Sequence, residues 1–133
     1  MESTSLQPIR DYKDLHVWQK GMELAKQVYL LTNRFPSEEK FGLVSQMLRA
    51  AISIPSNIAE GQARKTTGEF VQFLSHAEGS AAELDTQLRL STDLGYCVSA
   101  DLSEVFRLLT DVQKMLKRLR QSLIVSKAVA RDS

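Results

Sequence analysis

The sequence predicts an all-α protein: one domain over residues 1–133, folded as a single antiparallel up-down-up-down four-helix bundle. Three observations carry this reading. Apolar residues recur every three or four positions in four separate segments, the period of one helix face. Short stretches holding glycine, proline or serine separate those segments. No segment alternates apolar and polar residues long enough to make a strand. Four amphipathic helices on short connections pack as antiparallel neighbours. A chain of 133 residues buries a core without disulfide or metal support.

Residues 1–11 are polar, include Pro8 and read as a loose N-terminal arm. A first helix is expected from about Asp14 to Arg34, with Leu15, Trp18, Met22, Ala25, Val28, Tyr29 and Leu31 or Thr32 on its apolar face. Gly21 inside it weakens the helix by about 1 kcal/mol against alanine, and marks a close helix contact. Phe35-Pro36-Ser37 forms the turn. Ser37 is the expected cap of a second helix from about Glu38 to Gln62, with Glu38 and Glu39 at its positive end.

The second helix carries Leu43, Met47, Ala50, Ala51, Ile54 and Ile58 at helical spacing, with Pro55 inside the run. A mid-helix proline costs roughly 3 kcal/mol, through a lost backbone bond and a crowded carbonyl, here that of Ala51. Ser53, Ser56 and Asn57 surround it and can bond nearby backbone groups. A bend or local loosening is therefore expected at Pro55, and Gly61 is expected to end the helix. Thr66 and Glu69 form a capping box for a third helix, to about Leu94, with Phe70, Phe73, Leu74, Ala77, Ala81, Leu84 and Leu88 inward. Its Gly79-Ser80-Ala81-Ala82 run permits close approach, within the bundle or between subunits. Gly95 ends it. Ser99 or Asp101 caps a fourth helix to about Ser126, with a seam of Leu102, Val105, Phe106, Leu109, Val112, Leu116, Leu119 and Leu123. Leu108 and Met115 lie off that seam. Residues 127–133 are expected to fray.

The composition points away from catalysis. His16 and His76 are isolated, and no Glu-x-x-His pair is present to hold two metals in a bundle. Cys97 has no neighbouring base and orienting group of the kind a nucleophile needs. No glycine-rich phosphate loop occurs. No enzyme activity, metal or cofactor is expected. A single cysteine forms no internal disulfide, the opening MESTSLQPIR lacks a signal-peptide pattern, and no apolar run nears the ~20 residues of a membrane span. These observations suggest a cytoplasmic protein with no membrane partner.

Net charge is only +1, but it is unevenly distributed. Residues 1–65 carry +2, residues 66–111 carry −6 and residues 112–133 carry +5. Lys114, Lys117, Arg118, Arg120, Lys127 and Arg131 exceed what a helix C-terminus needs for its dipole. With Arg64 and Lys65 they form a candidate phosphate-binding edge. Aromatic residues are absent from that tail, so any contact with structured RNA or DNA is electrostatic rather than by base stacking. On the second helix Gln46, Arg49, Ser53, Asn57 and Glu60 share one face. With Pro55, they read either as local repair, Glu60 pairing Arg49 or Arg64, or as a surface for another subunit or a ligand.

The run Ser45 to Gly61 reads SQMLRAAISIPSNIAEG. It resembles the SQ-x-RRA-x-SIP-x-NIAEG signature of the bacterial four-helix bundle proteins known as 23S rRNA intervening-sequence proteins. The resemblance extends to Leu15-His16-Val17-Trp18, Phe35-Pro36, Glu78-Gly79-Ser80, Leu94-Gly95-Tyr96 and Lys114-Met115-Leu116, covering roughly residues 11 to 124. Where the signature has two arginines this chain has Leu48 and then Arg49, which puts any role of the first arginine in question. The resemblance implies a homopentamer. It also implies a non-enzymatic binding role, since one branch of the family is similar to the accessory protein of diversity-generating retroelements, which associates with a reverse transcriptase and binds nucleic acid. The alternative is an oligomeric scaffold for a protein partner, with no nucleic-acid contact.

Overall fold

The computed structural model describes residues 11–132, with side chains for residues 11–126. Four helices make the bundle: α1 (His16–Thr32), α2 (Leu43–Gln62), α3 (Thr67–Asp93) and α4 (Ser99–Asp132). Each packs on its neighbours in chain order and α4 closes onto α1; among the described residues, no Cα atoms of the diagonal pairs α1–α3 and α2–α4 come within 8 Å. This is the up-down-up-down square that short connections dictate.

The arm expected over residues 1–11 lies outside the described residues except for Asp11, which is anchored. Its carboxylate accepts from the Lys13 N–H at 2.8 Å, capping a 3-10 turn over Tyr12–Asp14. The Tyr12 ring meets the Trp18 ring edge-on at 5.3 Å and fixes the entry to α1.

The inward face of α1 is the expected one in part: Ala25, Val28, Leu31 and Thr32 are buried, and Leu15 and Trp18 pack partly buried against the core. Val17, Gly21, Leu24, Ala25, Val28, Leu31 and Thr32 are buried, whereas Met22 and Tyr29 are substantially exposed. The helix is apolar over a wide arc, and the buried face takes in Val17, Gly21 and Leu24 where the expected stripe had Met22 and Tyr29. Gly21 does mark a close contact: a Cβ there would sit 3.6 Å from Ile54 and from Pro55.

Ser37 is not the cap of α2. Ser37–Glu39 forms a separate 3-10 turn, and α2 starts at Leu43. Glu39 supplies the bond instead, its carboxylate accepting from the Leu43 N–H at 3.3 Å and from the Tyr96 hydroxyl at 2.6 Å. One carboxylate thus ties the α1–α2 connection to the α3–α4 connection. Both bonds favour the ionised form, so the Glu39 carboxyl lies below its ordinary value, the Tyr96 bond being the larger cause. Stability from this shift is present above a pH of about 4.5 and is lost as pH falls through the lowered native value. Tyr96→Phe should therefore lower the melting temperature at pH 7. The gap to wild type should narrow near pH 3, as thermal unfolding at the two pH values would show.

Helix α2 runs uninterrupted through Pro55. Asn57 Nδ2 bonds the Ser53 carbonyl at 2.8 Å, one turn back, rather than the Ala51 carbonyl. Nor does Gly61 end the helix. It is buried inside the last turn, with negative φ, and the C-cap is Ala63. Its role is proximity to α3: a Cβ at Gly61 would meet Phe73 Cβ at 2.7 Å and Phe70 Cδ1 at 3.0 Å.

Thr66 caps α3, accepting from the Glu69 N–H at 3.1 Å, while its hydroxyl donates to the Glu69 carboxylate at 3.0 Å. At the other end Gly95 has φ +79°, with Gly95 N–H on Thr92 and Tyr96 N–H on Ser91, both 3.0 Å, a Schellman closure. The core of α3 holds Leu74, Ala77, Ala81, Leu84 and Leu88, and also Gln87, whose buried Oε1 has no hydrogen-bond partner. Helix α4 continues to Asp132, past the end expected near Ser126, and Leu108 is buried rather than off the seam.

Candidate functional site

Lys114, Lys117 and Arg118 are three and four residues apart on α4, so they share one face. All three are exposed, and none has an ion-pair partner among the described residues. Arg118 lines a shallow depression with Leu15, His16 and Met115, where α4 passes the start of α1. Arg120 is different. It is three-quarters buried against α3 and grips Glu78 with two bonds, at 2.6 and 3.4 Å. Its charge is neutralised and its role is to tie α4 to α3. The side chains of Lys127 and Arg131 lie outside the described residues.

Arg64 and Lys65 are both exposed on the connection between α2 and α3. Arg64 is also engaged, 2.8 Å from Glu60 and stacked over the Phe73 ring at 4.8 Å. Of the sequence-based edge, Arg64 and Arg120 are committed to ion pairs, while Lys65, Lys114, Lys117 and Arg118 have none among the described residues.

The face of α2 expected from spacing also divides. Gln46 and Arg49 are exposed, and Glu60 pairs with Arg64 rather than Arg49. Ser53 and Asn57 are half-buried: Asn57 Nδ2 reaches Ser53 Oγ at 2.8 Å, and Ser53 Oγ meets Ser80 Oγ at 2.8 Å. This network bridges α2 to α3 and uses the hydroxyl within the small-residue run of α3. Pro55 points elsewhere, buried toward α1.

Sequence spacing missed a third surface. Between α1 and α2 an outward groove of about 790 Å³ is lined by Tyr12, Trp18, Met22, Lys26, Tyr29, Leu30, Ile52 and Pro55, among others. A second groove of about 590 Å³ continues it toward Phe41, Leu48 and Arg49, sharing Tyr29 and Ile52. Phe41 is 90% exposed and Leu30 60%. The signal in the sequence was the excess of apolar residues on α1, more than one inward stripe can use.

His16 and His76 are both exposed, on different helices, and His76 packs edge-on against Phe73 at 5.8 Å. Burial pushes the Cys97 thiol up, away from the reactive thiolate. No three His, Cys, Asp or Glu side chains gather in a metal-binding group among the described residues. Nor, among those residues, is any helix long and apolar enough to cross a membrane.

Comparison with known families matches residues 13–118 to the 23S rRNA-intervening sequence protein model. The chain belongs to the 23S rRNA-intervening sequence protein family. The match spans all of α1, α2 and α3 and α4 as far as Arg118. Among solved structures, this family member is similar to a protein of unknown function from the S23 ribosomal protein family of Bacteroides thetaiotaomicron. The two share 25% identity with a TM-score of 0.73, covering 79% of this chain and 95% of the other. No curated protein matches. In this 23S rRNA-intervening sequence protein, Leu48 packs partly buried at the edge of the core and lines the second groove. An apolar contact thus occupies the position where the signature has its first arginine.

Proposed function

We propose that this 23S rRNA-intervening sequence protein is a non-enzymatic, self-assembling protein that binds structured nucleic acid electrostatically through α4. The supporting observation is the exposed set Lys114, Lys117 and Arg118, three cations on one face with no carboxylate paired to them among the described residues. Phosphates are the groups that three such cations on a rigid helix fit, and counterion release supplies the free energy. Assembly as a homopentamer, implied by the family resemblance, repeats the set and turns weak single-site attraction into multivalent binding. A cytoplasmic location suits both the target and the free thiol.

A mobility-shift titration on a structured RNA hairpin at low salt tests this. Replacing Lys114, Lys117 and Arg118 together by glutamine should weaken binding at least about tenfold, with helicity unchanged. Arg120 is left in place, because its bond to Glu78 holds two helices together. Equal affinity of the triple variant and wild type would remove α4 as the site.

The second reading, an oligomeric scaffold for a protein partner such as a reverse transcriptase, draws its support from the exposed apolar grooves between α1 and α2. An assembled wild type that binds no nucleic acid at low salt would put this reading first.

A further inference from the structure

Two surfaces of the bundle have complementary chemistry, and neither has a partner among the described residues. The first is the pair of grooves between α1 and α2. No acidic residue lines either of them, and their three charges, Lys26, Lys40 and Arg49, are all exposed cations without an ion pair among the described residues. Their apolar members stay open to solvent, including Leu30, Phe41 and Ile52. An apolar surface of this extent with a basic rim calls for an apolar partner with acidic flanks.

The second surface is the outer face of α3. Glu83, Leu90, Asp93 and Leu94 follow helical spacing, and all four are exposed. Neither Glu83 nor Asp93 has a cationic partner among the described residues, whereas nearby Asp85 is paired to Arg89. One turn before Glu83 the same face carries Gly79, where an added Cβ would meet nothing within 4 Å. No contact among the described residues requires the glycine there. The two surfaces also match in length. Glu83 to Leu94 spans about 16 Å and Trp18 to Leu30 about 18 Å at 1.5 Å per residue.

We infer that the α1–α2 grooves receive the outer face of α3 from a second copy of this chain, Leu90 and Leu94 entering the apolar floor and Glu83 and Asp93 meeting the cationic rim. The two surfaces differ, so the contact is head-to-tail, the kind that closes into a ring when the rotation between copies allows. This inference rests on the self-assembly reading above and adds the two faces that meet.

Charge reversal on the full-length chain tests it. Lys26→Glu with Arg49→Glu, and separately Glu83→Lys with Asp93→Lys, should each weaken assembly at least about tenfold by analytical ultracentrifugation, because like charges then face each other. All four changes in one chain should restore assembly. That restoration also excludes misfolding as the cause of the first two results. On the wild type, a zero-length amine–carboxyl cross-linker applied to mixed isotopically light and heavy chains should join Lys26 or Lys40 to Glu83 or Asp93 between copies. A wild type that remains a single chain at all concentrations would overturn self-assembly and this contact together. An assembled wild type whose mass survives both double variants, or whose intermolecular cross-links lie elsewhere, would overturn the contact alone.

Discussion

Gly61→Leu is expected to destabilise the bundle by about 3 kcal/mol, near the upper end of what overpacking a well-packed core costs. The reason is distance. Even a Cβ at this position would approach Phe73 Cβ to 2.7 Å, and an atom attached directly to the backbone cannot swing aside. Gly61→Ala should cost about 1–2 kcal/mol, since the gain in helix propensity offsets part of the crowding. Gly21→Ala should do the opposite. Its Cβ meets Ile54 and Pro55 at ordinary contact distance, 3.6 Å, so up to ~1 kcal/mol of helix propensity is gained. Urea midpoints for the three variants would decide it. Equal effects at the two glycines would contradict the reading of Gly61 as a point of close approach between α2 and α3.

Leu24→Ala is expected to cost about 3 kcal/mol, because Leu24 is fully buried and its removal leaves a cavity among packed helices. Met22→Ala, two residues away in the open groove, should cost less than about 1 kcal/mol. The comparison tests which side of α1 faces the core. A larger effect at Met22 would return the helix to the orientation that residue spacing alone suggested.

That spacing made the four helices legible and left their rotations and meeting points open. In α2, Met47, Ala50, Ala51, Ile54 and Ile58 stand on a single apolar stripe, and they are buried as the period predicts. In α1 the apolar residues exceed one stripe. Trp18, Met22 and Tyr29 compete with Val17 and Leu24 for the inward position, and only packing against α2 and α4 decides between them. Gly61 shows the same limit. A glycine near a helix end has two explanations, a left-handed closure or a close neighbour. The neighbour here is Phe73, twelve residues on in the sequence and in contact only after folding. Gly95, with its closure local to the chain, was legible.

The candidate site was legible as a list of charges but not as a surface. Periodicity places Lys114, Lys117 and Arg118 together. It cannot show that Arg120 is committed to Glu78, forty-two residues earlier, or that Arg64 leans on Phe73 and Glu60. Those pairings depend on how α3 and α4 and the α2–α3 connection meet. Of the six expected cations with described side chains, Arg64 and Arg120 are committed, leaving Lys114, Lys117 and Arg118 on α4 and Lys65 on the α2–α3 connection without an ion pair among the described residues.

The salt dependence of binding tests the central claim most directly. The association constant of wild type for a structured RNA hairpin, measured at several salt concentrations, should fall steeply and linearly on a log–log plot, as phosphate neutralisation requires. In the variant with glutamine at 114, 117 and 118 the slope should be shallower by at least about 2, since three cations no longer displace counterions. A wild-type slope near zero, or one unchanged by the three substitutions, would contradict the account.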